Sequence, residues 1–529
     1  MSSSMESYPT ALADANVAAV APAPGRTSAN VTRTLLGAIE LGILADLLLR
    51  AGGPGLNLTL WCWALLAAGM LAHGDVPVDR RRVTLLAAAA FFAAVPAWRS
   101  DEALVLASGL AVLVLLVLLT WTAALPATQL AARTIGAYIG AAWTAALCII
   151  AGAAPLIVAE ARTRTEVAAG YRHTAGAMLR GLVLAVPVVF IFATLLMQAD
   201  AAYASLVHGL FRWDAETVIS HVALTAVFAW LAAAYLGAPS HWARRAPAAS
   251  LPFRLGAIEA GTIVALVDAL FLSFVLVQAR YLFGGVSHVV ETLGLTYAEY
   301  ARRGFFELVA VTALALPLLI AVTEGARIES RREKRVHGIL SAVLIGLLLL
   351  MMASALSRMW IYQAEYGWTL LRVHATALML WIGGTIVWFG ACALRRTPGR
   401  FVIGSIGAGL AMLACLVVLN PAAGIITANA QRAHAGSDFD GADAAALGAD
   451  GLPTLLAALP AIAARLDDQE RCAIRRAIDR AVAEGTGEGS GRDWRTVSLS
   501  NVRAHKAVAR YRAVADATLP SATQCATSR

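Results

Sequence analysis

The feature that most limits this chain is a succession of apolar runs of membrane-spanning length, following one another from residue 31 to residue 419. They lie near 31–49, 56–72, 83–98, 103–125, 135–159, 181–199, 217–237, 257–282, 305–323, 337–357, 369–393 and 401–419. A helix needs about 20 such residues to cross a bilayer, so several runs suffice comfortably and the third is short. Inside a bilayer every backbone N–H and C=O must be satisfied within the structure, which makes runs of this length helices. The expected fold is all-α: a polytopic helical membrane bundle of about 11–12 spans with a small helical C-terminal polar domain. Composition agrees, because only 14% of residues are charged and 59% are hydrophobic, against about 25% charged in soluble domains.

Three regions follow. Residues 1–30 are rich in Ser, Ala and Pro without an apolar period and read as a disordered leader. They lack the ordered n-region, h-region and cleavage site of a signal peptide. Residues 31–419 form the bundle. After Asn420-Pro421 the composition turns polar, and 420–529 read as a helical C-terminal domain with helices near 453–484 and 494–516 around the flexible run GTGEGSGRD.

Loop charges orient the bundle. The loops at 160–180, 238–256, 324–336 and 394–400 hold fifteen basic residues, against four in the alternate loops at 200–216, 283–304 and 358–368. The first set is expected in the cytoplasm, with the tail delivered outside. The Arg80–Arg82 triplet also belongs inside, yet three apparent spans separate it from 160–180. Either 135–159, rich in Gly and Ala, is not a simple crossing, or the amino terminus lies outside. We take eleven spans, amino terminus in and tail out, in a bacterial plasma membrane. An outside tail would put Cys472 and Cys525 in a disulfide-permissive compartment, where a bridge between them or two unpaired thiols are both open.

Several function classes drop out. The net charge of +8 is spread as arginines between apolar runs, which suits anionic lipid better than a nucleic-acid groove. The only lysines are Lys334 and Lys506, and neither follows glycine, so there is no P-loop. No HExxH, GxSxG or GxGxxG signature occurs, and no catalytic residue is assigned. His288 and Glu291 have metal-compatible spacing but lack further ligands, so neither a metal nor a cofactor is expected. The remaining partners are the lipid bilayer, a small-molecule or lipid ligand, and an envelope protein.

Polar and aromatic detail concentrates on the face that this topology places outside. In QARYLFGGVSHVVETLGLTYAEYARRGFFEL at 278–308, Gln278 and Arg280 end one span and Thr296 with Glu299 fits a capping box before the next. Glu299, Arg303 and Glu307 recur every four residues, so one arginine lies between two carboxylates on a helix face. Tyr297 and Tyr300 flank them beside Arg302. The plain reading is a stapled re-entry helix with interfacial anchors; the sharper one is a binding surface, joined by Asp200 and by Tyr362, Glu365, Tyr366 and Arg372 of IYQAEYGWTLLR. Deeper, Glu40 and Asp268 each cost roughly 2.5–3.5 kcal/mol in a bilayer unless paired or wetted. Each is a functional candidate or a hydrogen-bonded interior acid. His221 and His374 read as packing or hydrogen-bonding residues.

These strings, with RGLVLAVPVVFIFATLLMQADAAYA at 180–204, NPAAGIITANAQR at 420–432, LGADGLPTLLAAL and DWRTVSLSNVRA, resemble a bacterial multi-pass membrane family, domain of unknown function 4173, and its relative 4153. The resemblance covers most of the chain from about residue 180 and implies a helical membrane module. It carries over no catalytic residue. Three functions compete: a module that binds or transports a solute, lipid or envelope precursor; a non-catalytic envelope sensor or scaffold acting through its tail; and a membrane-embedded transferase or hydrolase using Asp200, Glu299 and Glu365.

Overall fold

A computed structural model gives the fold. It describes residues 28–50, 52–74, 78–124, 135–154, 156–157, 215–245, 254–283, 305–394, 398–486 and 493–527, with single positions at 185, 192, 196 and 200. The bundle comprises α1 (Ser28–Leu49), α2 (Leu56–Ala72), α3 (Arg80–Ala93), α4 (Val95–Trp98), α5 (Glu102–Ala124), α6 (Ile135–Ala151), α7 (Ala215–Arg245), α8 (Ala257–Phe283), α9 (Phe305–Gly325), α10 (Arg331–Tyr366), α11 (Leu370–Leu394) and α12 (Pro398–Leu419). The tail adds α13 (Pro421–His434), α14 (Gly441–Ala446), α15 (Gly448–Ile462), α16 (Asp468–Thr486), α17 (Leu499–Thr518) and α18 (Ala522–Thr527). Among the described residues the only sheet is a parallel pair of two-residue strands, β1 (Leu255–Gly256) and β2 (Ala326–Arg327). Among the described residues, eight helical stretches are long and apolar enough to cross a membrane.

Contacts sort the helix ends into two sets. At the tail end, Arg50 donates to Ser220 at 2.7 Å and the Leu56 amide donates to Val497 of the tail at 3.1 Å. At the opposite end, the His73 ring meets the Leu236 carbonyl at 3.2 Å, and β1 and β2 pair beside Arg331 and Arg332. α1 and α7 thus pack antiparallel. Gly42 permits their close approach, because a Cβ there would sit 2.8 Å from that of Ala229. α6 behaves differently from the spans. Its Gly136 amide donates to Glu324 at 2.8 Å, while its Ile150 carbonyl accepts from Trp230 and Leu156 packs on Gly237. Both ends therefore sit in the half opposite the tail. Of the two ways to reconcile the loop charges, this placement fits the one in which 135–159 is not a simple crossing.

Among the described residues the bundle core divides into a small cluster around Trp121, Tyr138 and Ala145 and two large ones. One joins α1, α2, α3, α5 and α7 around Leu41, Trp61, Phe92 and Leu115; the other joins α8 to α12 around Leu319, Leu344, Leu348, Met379 and Ile386. Outward faces stay apolar, with Leu106, Leu110, Leu266 and Leu270 all exposed. Exposed leucine stripes of that kind are what lipid-facing helices carry. α10 has 36 residues, so at 1.5 Å per residue it is about 54 Å long and overshoots a hydrocarbon core of about 30 Å. Its start is fixed by a capping box in which Ser330 and Glu333 satisfy each other's backbone amides at 3.1 Å.

The tail has its own core. Ile426, Leu455, Leu456, Leu459, Ile462 and Ile474 are fully buried, and α13, α15, α16 and α17 all contribute. Where two tail helices were expected, the described residues form six, because Gly441, Gly448 and the 463–465 turn break the polar stretch into short pieces. Cys472 on α16 and Cys525 on α18 are joined in a disulfide with their Cα atoms 5.3 Å apart.

Candidate functional site

The tail meets the bundle at a buried carboxylate. Asp450 lies in the first turn of α15, where the free amides of a helix start favour an acid. Its side chain is 2% exposed and pairs with Arg99, itself 4% exposed, at 3.2 Å. The tight turn between α4 and α5 supplies further donors: the Ser100 amide at 2.7 Å, the Ser100 hydroxyl at 3.0 Å and the Asp101 amide at 3.0 Å. The Ser500 hydroxyl from α17 sits between Asp450 and the Trp98 carbonyl. Arg99 spends its other donors on the last carbonyls of α12, which have no partner within the helix, reaching Val417 at 2.8 Å and Val418 at 3.2 Å. Asn420 turns the chain into the tail with φ of 52°, a left-handed conformation that Asn tolerates, and donates to the Asp450 carbonyl at 3.0 Å. Asp101 caps α5 through the Ala103 amide at 2.9 Å, with His374 of α11 at 3.5 Å from its other oxygen.

A second clamp holds the α10–α11 turn. Gly367 has φ of 76°, and a Cβ there would fall 2.9 Å from Asn429 Oδ1. Asn429 exchanges two 2.8 Å hydrogen bonds with the Trp368 backbone, and Arg432 donates to the Ala364 and Glu365 carbonyls at 2.7 and 2.8 Å. Arg372 lies 4.2 Å over the Tyr362 ring and donates to the Tyr366 and Gly367 carbonyls at 3.0 and 2.6 Å. Burial pushes the Asp443 carboxyl up, with Asp440 adding and Arg372 opposing. A third clamp pairs Asp493 with Arg495 at 2.5 Å, while Arg495 also donates to the Leu47 carbonyl of α1. That arginine holds the Asp493 carboxyl below its usual range.

The residues singled out from sequence are thus distributed unevenly. Tyr362, Tyr366 and Arg372 come together, but as part of a docking turn, and Glu365 contributes its carbonyl while its side chain is exposed. Gln278 is buried and accepts from Ser354 at 3.0 Å. Glu307 and Asp200 are exposed. Tyr297, Glu299, Tyr300, Arg302 and Arg303 lie outside the described residues, as does the side chain of Arg280. Glu40 faces outward on α1 beside Ile39 and Ile43, so the interior hydrogen-bonded reading does not describe it. Asp268 is 7% exposed on α8, with neither carboxylate oxygen in a hydrogen bond. His221 engages Asp46, which Arg50 also grips at 2.8 Å.

Sequence reasoning missed Asp450, Arg99 and Asp46. Arg99-Ser-Asp belongs to no motif singled out from the sequence, and Asp450 lay in a string that stood out only through resemblance. An arginine directly between two apolar runs was the available signal. A family model described as a domain of unknown function (DUF4153) matches residues 86–458. The chain belongs to this family. The group shown is the one numbered 4153, not 4173. No curated protein and no solved structure matches the chain. The DUF4153 region contains both sides of the principal clamps, namely Arg99, Asp101, His374, Asn429, Arg432 and Asp450, whereas Ser500 and the disulfide lie beyond it.

Proposed function

We propose that this integral membrane protein is a non-catalytic envelope scaffold: its bundle holds the disulfide-bridged tail rigidly on the outer face of a bacterial plasma membrane as a partner-binding surface. The observation that carries this reading is the Asp450 junction. A carboxylate sealed among donors from the α4–α5 turn and α17 is a fastening, with its hydrogen-bonding capacity used up internally. The arginine-rich loops at the other end and the Cys472–Cys525 bridge support an outside tail. The tail also offers a cavity of about 720 Å³, floored by Ala442, Ala445, Ala446 and Ala473 and rimmed by Arg476, Asp479 and Arg480. Small side chains let a partner's backbone approach closely, and the arginines favour acidic side chains on it.

Photo-crosslinking residues placed at exposed Arg480 and Arg512 in native membranes test this reading. Adducts to one recurrent envelope protein, mapped by mass spectrometry, are expected. Adducts confined to lipid, together with solute flux through proteoliposomes containing a tail-deleted chain, would replace it with the transport reading. That second reading is favoured by one observation, the unpartnered Asp268.

A further inference from the structure

α8 and α10 run parallel. The β1–β2 pairing ties them at one end, and the Ser354–Gln278 hydrogen bond of 3.0 Å ties them near the other. Between these ties the interface holds three polar side chains whose buried atoms find no protein partner: both oxygens of Asp268, both ring nitrogens of His337 and the hydroxyl of Ser341. Asp268 is 7% and His337 9% exposed. Counting back from the Ser354–Gln278 bond at about 1.5 Å per residue puts Asp268 level with Leu344 and His337 level with Gly261. His337 and Asp268 are then about 10 Å apart along the axis, with Ser341 between them, one helical turn from His337. A crevice of about 380 Å³ opens at the arginine-rich end, bordered by Gly261, Ala265, Arg332, Glu333, His337 and Leu340. Its α8 wall, Gly261 and Ala265, leads along one helix face to Asp268.

Among the described residues Asp268 has no counter-charge. Glu259, Glu324, Arg327, Arg331, Arg332, Glu333, Lys334 and Arg335 lie at the arginine-rich ends of β2, α8, α9 and α10; Glu307, Arg358 and Glu365 lie at the tail ends, with Arg280. Across the apolar stretches between them, 260–277, 308–323 and 336–357, the only ionisable residues are Asp268 and His337. An isolated carboxylate at that depth is expensive unless it takes up a proton or water reaches it. One carboxyl, one hydroxyl and one imidazole provide too few oxygens for a hard metal cation.

We propose that His337, Ser341 and Asp268 form a proton-uptake path leading from the arginine-rich face to Asp268 at mid-depth. His337 takes a proton from hydronium at the crevice on its lone-pair ring nitrogen, leaving water, and releases the proton on its other nitrogen inward. Water hydrogen-bonded to Ser341 passes it on, and the Asp268 carboxylate accepts it. No bond other than O–H and N–H forms or breaks, and the return of His337 to its starting tautomer completes the step. This inference is independent of the scaffold reading, since no tail residue takes part.

Infrared spectroscopy of the full chain in lipid nanodiscs tests it. A protonated-carboxyl C=O band is expected that Asp268→Asn removes, and its shift on transfer to D₂O should be fast. His337→Phe should slow that deuteration while leaving the band; Ser341→Ala provides the same test if the His337 variant does not fold. Absence of an Asp268-dependent band, an exchange rate indifferent to both substitutions, or loss of the band on adding sodium at constant pH would each overturn the proposal.

Discussion

The junction at Asp450 and the interface at Asp268 solve the same problem in opposite ways. Both bury an aspartate, at 5% and 7% exposure. Asp450 is surrounded by an arginine, two backbone amides and two hydroxyls, so its charge is compensated where it sits. Asp268 has no such partner. Removing one member of a compensated buried group leaves the others stranded, whereas removing a solitary acid strands nothing. The first arrangement fastens two parts of the molecule; the second leaves a solitary acid at a helix interface.

Substitutions sharpen that contrast. Asp450→Ala leaves Arg99 buried and unpaired, so a loss of about 3–5 kcal/mol is expected in detergent unfolding, with the tail becoming protease-sensitive. A change near zero would show that the junction is not a fastening. Cys472→Ser with Cys525→Ser should cost about 2–4 kcal/mol and loosen the tail core while leaving the bundle's unfolding unchanged. Asn429→Ala removes two hydrogen bonds to Trp368, an expected loss of about 1–3 kcal/mol read as a lowered midpoint. Asp268→Leu, by contrast, should leave the midpoint unchanged or raise it; a loss as large as that of Asp450→Ala would erase the distinction between the two sites.

The smallest expected effect is a pH dependence at the third clamp. Arg495 depresses the Asp493 carboxyl in the folded state, so its stabilising contribution is present above the ordinary value of 3.8 and lost as pH falls through the lower folded value. Pepsin cleavage beside the exposed Trp494 should therefore rise as pH falls below 3.8, and Asp493→Asn should abolish that response. Asp443 has the opposite sign: burial raises its carboxyl, so the cost of its charge is relieved as pH falls through that raised value.

Much of the architecture was legible because the bilayer enforces it. Apolar runs of spanning length become helices whatever surrounds them, and the arginine imbalance left a non-crossing 135–159 as one of two ways to reconcile the loop charges. The site was less legible because its partners are distant in sequence. Arg99 and Asp450 are 351 residues apart, and nothing local in either segment shows that they meet. IYQAEYGWTLLR stood out as polar and aromatic, yet composition could not tell a ligand surface from a docking turn. Asn429 and Arg432, in a string noted only for resemblance, decide it. Asp268 was visible as an intramembrane acid; its companion His337, two residues past the basic cluster 331–335, opens the apolar run 337–357 and carried no signal of its own.

The most direct measurement is hydrogen–deuterium exchange at the Ser100 and Asp101 amides, both of which donate to Asp450. The fastened-tail account predicts that these amides exchange slowly in the intact protein and speed up in Asp450→Ala together with the start of α15 and α17, while the α8 peptide containing Asp268 is unaffected. Free exchange of Ser100 and Asp101 in the unaltered protein, at the rate of an open interhelical loop, would contradict it.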